Sequence, residues 1–166
     1  MDTLLYRQNR VDVKPNTDIE IHKFTPGLSG LFVKGEKPSF KNIVARLYFR
    51  LMAGKKYVIY YVLSPEGQVM HTSTVMPQCF KFRYLKENEC EIGPCYTGKD
   101  FRGRGIYPTV LRHILSDYDA KAFYMTVNKN NASSIRGIEK AGFERFGSIR
   151  KSRFFKVYRL AEEETT

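Results

Sequence analysis

Polar and apolar residues alternate through Asp18-Ile-Glu-Ile-His-Lys-Phe24, the period-two pattern of a half-buried strand, and Thr25-Pro-Gly ends it. From Ser39 to Ala53 the period changes. Phe40, Ile43, Val44, Leu47 and Leu51 fall at helical spacing behind a serine suited to cap the helix, and Gly54 stops the run. Tyr57 to Leu63 is dense in β-formers, Ser64-Pro-Glu-Gly makes a turn and Val69 to Met76 returns, so 57–76 is predicted as a hairpin. Residues 78–89, with Phe80, Phe82 and Tyr84 among Lys81, Arg83 and Lys86, follow no period. They read as a loop that either faces a substrate or covers the core.

Cys90 to Thr97 is the next strand, and Gly93-Pro94 in its middle predicts a bulge or a splayed strand, because proline cannot donate to a ladder. A helix follows from Gly105 to Ser116. Ile106, Val110, Leu111, Ile114 and Leu115 form its apolar face, and Pro108 is tolerated in the first turn. Ala122 to Asn128 reads as a buried strand. Asn131-Ala-Ser-Ser opens a second helix that Gly142 closes, and Phe143 to Phe155 and Val157 to Leu160 are two last strands before the acidic tail 162–166. With no repeat and no linker, residues 1–166 make one domain of the α/β (α+β) class around a mixed sheet.

Composition narrows the chemistry. A formal net charge of +11 over 166 residues implies an anionic partner, with nucleic acid, acidic membrane, a phosphorylated cofactor and a nucleotide-linked sugar all compatible. The positive charge gathers in 99–112 and in 144–159, and the second segment reads as a solvated hairpin face rather than a nucleic-acid surface. Cys79, Cys90 and Cys95 cannot all pair and form no Cys-x-x-Cys unit, and His22, His71 and His113 are scattered, so no metal site is expected. No apolar run approaches a bilayer span, and the N-terminus lacks the pattern of a signal peptide, which makes the cytoplasm the expected compartment.

The densest chemical signal is Arg102-Gly-Arg-Gly-Ile-Tyr107, between a strand and a helix. A helix opened by such a turn aims unpaired N–H groups and its positive dipole end at one spot. Arg102 and Arg104 add charge-assisted donors, while Gly103 and Gly105 let the backbone approach a bulky anion such as a pyrophosphate.

Strand, Arg102-Gly-Arg-Gly-Ile, helix, strand and then Asn131-Ala-Ser-Ser-Ile-Arg-Gly-Ile-Glu-Lys-Ala-Gly-Phe143 resembles the GNAT superfamily of N-acetyltransferases, over about residues 90–145. The resemblance implies a sheet of about six or seven strands, splayed at 90–97, with helices on both faces. It implies acetyl-CoA as acyl donor, with pantetheine beside Cys95, Tyr96 and Thr97. The pyrophosphate would lie on Arg102, Gly103, Arg104, Gly105, Ile106 and Tyr107, and the far end near Asn131 and Ser134. The last two are equally readable as the N-cap and first turn of the second helix. Glu91 matches a general-base glutamate of some members, with an arginine-paired strand carboxylate as the alternative; His71 and a solvent-facing His113 are weaker bases.

Two positions depart from the pattern. Tyr107 replaces a small residue and, one turn inside the helix, has room to point away. Ile138 occupies the place of the tyrosine that usually protonates the leaving thiolate, which leaves Tyr107, Tyr96 and Ser134 as candidates. Shorter strings resemble acetyltransferase-like proteins of bacterial surface-polysaccharide gene sets, which implies a primary amine of an amino sugar as acceptor, an anionic one suiting the basic chain. A protein or peptide amine, or a non-catalytic module binding acyl-CoA or RNA, remains the alternative, although a nucleic-acid role fits less well. The oligomeric state is left open.

Overall fold

Among the described residues, eight strands form a single sheet in the order β2-β3-β4-β5-β6-β1-β7-β8. The computed structural model describes residues 3–13, 15, 17–27, 30, 32–36, 40–151 and 157–161. The strands are β1 (Thr3–Asn9), β2 (His22–Phe24), β3 (Val58–Leu63), β4 (Val69–Pro77), β5 (Glu89–Thr97), β6 (Ala122–Asn128), β7 (Glu144–Lys151) and β8 (Tyr158–Leu160). The helices are α1 (Phe40–Ala53), α2 (Ile106–Asp117) and α3 (Ala132–Lys140). All neighbouring strands run antiparallel except β5 and β6, which are parallel and joined through α2.

The α/β class, the mixed sheet and the predicted hairpin, helices and splayed strand agree with this architecture. The strand count is one correction, because β1 adds an eighth strand to the expected six or seven. Lying between β6 and β1's other neighbour β7, it buries consecutive Leu5 and Tyr6 on opposite faces, so its short apolar patch shows no alternation. The alternating stretch at 18–24 is regular only over His22–Phe24, an edge strand on β3. Ser39, residues 152–156 and the tail 162–166 lie outside the described residues.

Helices cover both faces. On one face α2 and α3 pack Val110, Leu111, Ile114, Leu115 and Ile138 against Val58, Tyr60, Val62, Ile92 and Phe123. On the other, Phe49 and Ala53 of α1 lie with Tyr57, Ile59, Met76, Phe82 and Tyr124. Each strand sends alternate residues to the two layers, as Val58, Tyr60 and Val62 against Tyr57 and Ile59 illustrate. Leu111 and Ile114 are fully buried, so truncating either to alanine is expected to cost about 2–5 kcal/mol. This two-sided core holds the centre of the sheet rigid around the point where β5 parts from β6.

Candidate active site

β5 pairs with β6 only through Glu89, Cys90 and Glu91. Its pairing with β4 continues to Thr97, with a register shift: Ile92 faces Val75 and Cys95 faces Ser73, so Gly93 and Pro94 oppose Thr74 alone. This is the bulge that Gly93-Pro94 predicted. Beyond Glu91 the β6 side of β5 is open, and a notch separates the two strands. Two cavities meet there.

The outer cavity, about 560 Å³, runs from Cys95, Tyr96 and Thr97 past the 102–107 turn to the start of α3. Gly103 and Gly105 have φ of 79° and 73°, a left-handed conformation that side chains resist, so the two glycines set the path of the turn. Gly105 caps α2 without a side-chain hydrogen bond, which leaves the first N–H groups of the helix facing the cavity mouth. The Arg102 Nε donates to the Thr97 carbonyl at 3.1 Å and an Arg104 Nη donates to the Asp100 carbonyl at 3.0 Å. Both guanidinium groups are thus tethered while exposed, with further N–H groups to offer a ligand.

The inner cavity, about 400 Å³, is lined by Glu91 to Cys95, by 125–128 of β6, and by Lys81, Phe82 and Tyr158 from the opposite layer. Glu91 is 2% exposed. Its carboxylate accepts from the Tyr84 hydroxyl at 2.5 Å and from the Thr126 amide and hydroxyl at 3.0 and 2.9 Å. Burial raises its pKa to about 7, against the lowering pull of these donors and of Lys81. Its partners are therefore a tyrosine and a threonine rather than the arginine of the alternative reading, and it can gain or lose a proton near neutrality.

Cys95, Tyr107, Asn131 and Ser134 border both cavities. Tyr107 does not point away. Its ring lies over Gly137 of α3, where a Cβ would come within 2.4 Å of Cδ1, and its hydroxyl lies near the Cys95 thiol. The Asn131 Oδ1 accepts from the Ser134 amide at 3.2 Å and the Ser133 hydroxyl at 3.0 Å, which makes Asn131 the N-cap of α3. Tyr96 lines the outer cavity alone and is 59% exposed. His113 packs edge-on against Tyr60, ring centroids 5.9 Å apart, away from both cavities.

His71, a weak candidate from sequence, is completely buried. Its ring nitrogens lie 2.7 Å from the Thr97 and Ser73 hydroxyls, and burial lowers its pKa to about 4, so it is neutral at pH 7. Sequence reasoning gave no role to Ser73, Thr126 and Gly137, and placed Tyr84 only in an irregular stretch that faces a substrate or covers the core. Only Gly137 carried a signal, since a glycine inside a helix costs about 1 kcal/mol relative to alanine and asks for a packing reason.

A model of the acetyltransferase (GNAT) family matches residues 42–143. No curated protein matches significantly. Among solved structures, an acetyltransferase from the GNAT family of Colwellia psychrerythraea superposes with a TM-score of 0.58 at 15% identity, covering 87% of this chain and 52% of that one. A putative acetyltransferase from Acinetobacter baylyi gives 0.56 at 15% identity, with 87% and 89% covered. An aminoglycoside acetyltransferase in complex with coenzyme A and kanamycin gives 0.53 at 16% identity, with 70% and 72% covered. The chain spans about half the length of several of these similar structures, 52% of the Colwellia chain and 48% of one from Sphaerobacter thermophilus.

Proposed function

The chain belongs to the acetyltransferase (GNAT) family, and from that premise we propose that it transfers an acetyl group from acetyl-CoA to a primary amine by direct attack on the thioester. The observation that carries the reading is the junction of the two cavities. An anion-binding helix start lies on one side, a buried carboxylate titrating near pH 7 lies on the other, and the open edge of β5 runs between them.

In this reading the outer cavity holds coenzyme A. The diphosphate lies against the uncapped start of α2 and the Arg102 and Arg104 guanidiniums, where dipole, N–H groups and charge act together. The pantetheine amides pair with the unpartnered edge of Cys95, Tyr96 and Thr97, as an added strand would. Asn131 and Ser134 flank its far side.

The amine enters from the inner cavity. Glu91 accepts the proton that the nitrogen loses as it bonds to the carbonyl carbon, directly or through one water. Backbone N–H groups freed by the bulge face the position where the oxyanion develops and stabilise it. The carbon–sulfur bond then breaks with its electron pair on sulfur, and one proton has moved in net from nitrogen to coenzyme A.

The acceptor in this proposal is the amine of an amino sugar carried on an anionic group, such as a nucleotide or lipid diphosphate. The charge of +11 supports an anionic acceptor and weighs against a polycationic one. Ile138 at the usual tyrosine position is what favours the second reading, a module that binds acyl-CoA without turnover.

A free-thiol release screen with acetyl-CoA tests the proposal, using amino sugars, nucleotide-linked amino sugars, polyamines and peptides, beside calorimetric titration with acetyl-CoA. Thiol release with an anionic amino sugar is expected. Binding without release for any amine supports the module, and absence of binding removes coenzyme A from the account.

A further inference from the structure

We infer that the outer face of α1 is a docking surface for an anionic lipid bilayer, on which the helix lies along the membrane surface. The inference does not rest on the coenzyme A reading, since α1 covers the face of the sheet opposite to α2, α3 and the outer cavity.

The helical spacing that identifies α1 in the sequence includes Val44, Leu47 and Leu51, and a helix packed on a sheet ordinarily turns such a stripe toward the core. Here it points outward. α1 is held to the sheet by Phe49 and Ala53, and by Arg46, whose guanidinium meets the Glu36 carboxylate at 2.7 Å. Val44, Leu47, Tyr48 and Met52 are left 43–50% exposed and Leu51 85% exposed. They fall at i, i+3, i+4, i+7 and i+8, so they form one apolar strip along the helix. Among the described residues, no other helix or strand exposes more than one large apolar side chain, which makes this concentration the mark of a covered surface. The irregular stretch after β4 borders α1, with Lys81 Nζ 5.1 Å from the centre of the Phe49 ring. It carries a further exposed aromatic, Phe80, with the Arg83 guanidinium 5.6 Å from the ring.

Charge decides what covers the strip. From Lys37 to Pro65 the sequence holds six basic residues and no Asp or Glu. Arg46 is neutralised by Glu36. Arg50, and the exposed Lys55 and Lys56 in the turn that follows α1, form no ion pair among the described residues. An apolar strip flanked by uncompensated basic groups suits an acidic lipid surface: the apolar side chains enter the acyl boundary while the basic ones stay among the headgroups. A second copy of the chain fits less well. A two-fold contact would bring Arg50, Lys55 and Lys56 up against their own copies, with no carboxylate in the stretch to offset them. The helix would lie on the bilayer rather than cross it, since no helix among the described residues is long and apolar enough to span a membrane.

Vesicles of phosphatidylcholine alone, and of phosphatidylcholine mixed with phosphatidylglycerol, test the inference with the full chain. Wild type should bind the anionic vesicles about a hundredfold more tightly than the neutral ones in a sedimentation assay, at about fivefold for each of the three basic groups. Lys55→Gln combined with Lys56→Gln should therefore weaken that binding about 25-fold. Leu51→Ser should weaken it about tenfold, through the lost burial of one leucine. This variant separates docking through α1 from the general adsorption of a basic protein. The chain has no tryptophan, so Leu51→Trp reports on position 51 alone. Its emission should shift to the blue on anionic vesicles and be quenched by brominated acyl chains. Arg112→Trp, at an exposed position of α2, should show neither change. Thermal melts verify that each variant is folded. Unweakened binding of Leu51→Ser, or emission from position 51 that is indifferent to vesicles, overturns the inference. So does a blue emission of Leu51→Trp without lipid that grows with protein concentration, which assigns the strip to a second copy. Failure of wild type to bind the anionic vesicles overturns it outright.

Discussion

The two cavities that meet at the notch are built in different ways. The anion-binding part of the outer one is made of consecutive residues: the six from Arg102 to Tyr107 contribute the turn, both arginines and the helix start. The inner one is made of side chains from distant segments. Glu91 on β5 is held by Tyr84 from the irregular stretch and Thr126 from β6, with Lys81 and Tyr158 closing the wall. A site for a fixed, bulky anion can be written in one short run of sequence because backbone N–H groups and a helix dipole suffice. A site that must hold a carboxyl near its titration point requires burial and selected donors, and only tertiary structure gathers these.

If that division is right, removing the carboxylate should silence chemistry and spare binding. Glu91→Gln is expected to lower kcat by about 10²- to 10⁴-fold with acetyl-CoA affinity unchanged by calorimetry. A loss of affinity as large as the loss of kcat would break the comparison.

The buried imidazole of His71 on β4 should register acid. His71 takes a proton at about 4 when folded and near 6.5 when unfolded. Between those values the unfolded chain binds more protons, so the stabilisation present above 6.5 drains away as pH falls toward 4, by up to about 3 kcal/mol. Denaturant unfolding of wild type and His71→Asn across that range should show the steeper acid loss in wild type.

On the outer side, Arg104→Ala should weaken acetyl-CoA binding by about 1 to 2 kcal/mol, the worth of a charge-assisted contact reduced by exposure, with kcat at saturation little altered. A fall in kcat without a change in binding would reverse the assignments of the two sides.

The smallest expected effect sharpens the account of Glu91. As a base it acts ionised, so kcat/KM should rise with pH through about 7. The Tyr84 hydroxyl favours the ionised form, and Tyr84→Phe should therefore move that rise upward by about one pH unit or less. A downward shift would contradict the hydrogen bond's role.

The same contrast explains what the sequence disclosed. α2, α3, the 57–76 hairpin and the break at Gly93-Pro94 were legible because each depends on local periodicity or on one residue's backbone. β1 was not, since a central strand buried on both faces has no alternation to read. Cys95, Tyr96, Thr97 and the 102–107 run line the cavity that their order suggested. The environment of Glu91 was legible only as a carboxylate in an apolar strand, because Tyr84 and Thr126 reach it from 7 and 35 residues away. Tyr107 was read with its direction open, and what decides it is Gly137, 30 residues downstream and in contact only after folding.

A crystal structure of the protein with coenzyme A tests the central claim most directly. The account predicts the diphosphate on the N–H groups of 103–107 beside Arg102 and Arg104, and the pantetheine along 95–97 with the sulfur at the junction of the two cavities. Coenzyme A bound outside the notch, or a notch closed by side chains in its presence, would contradict it.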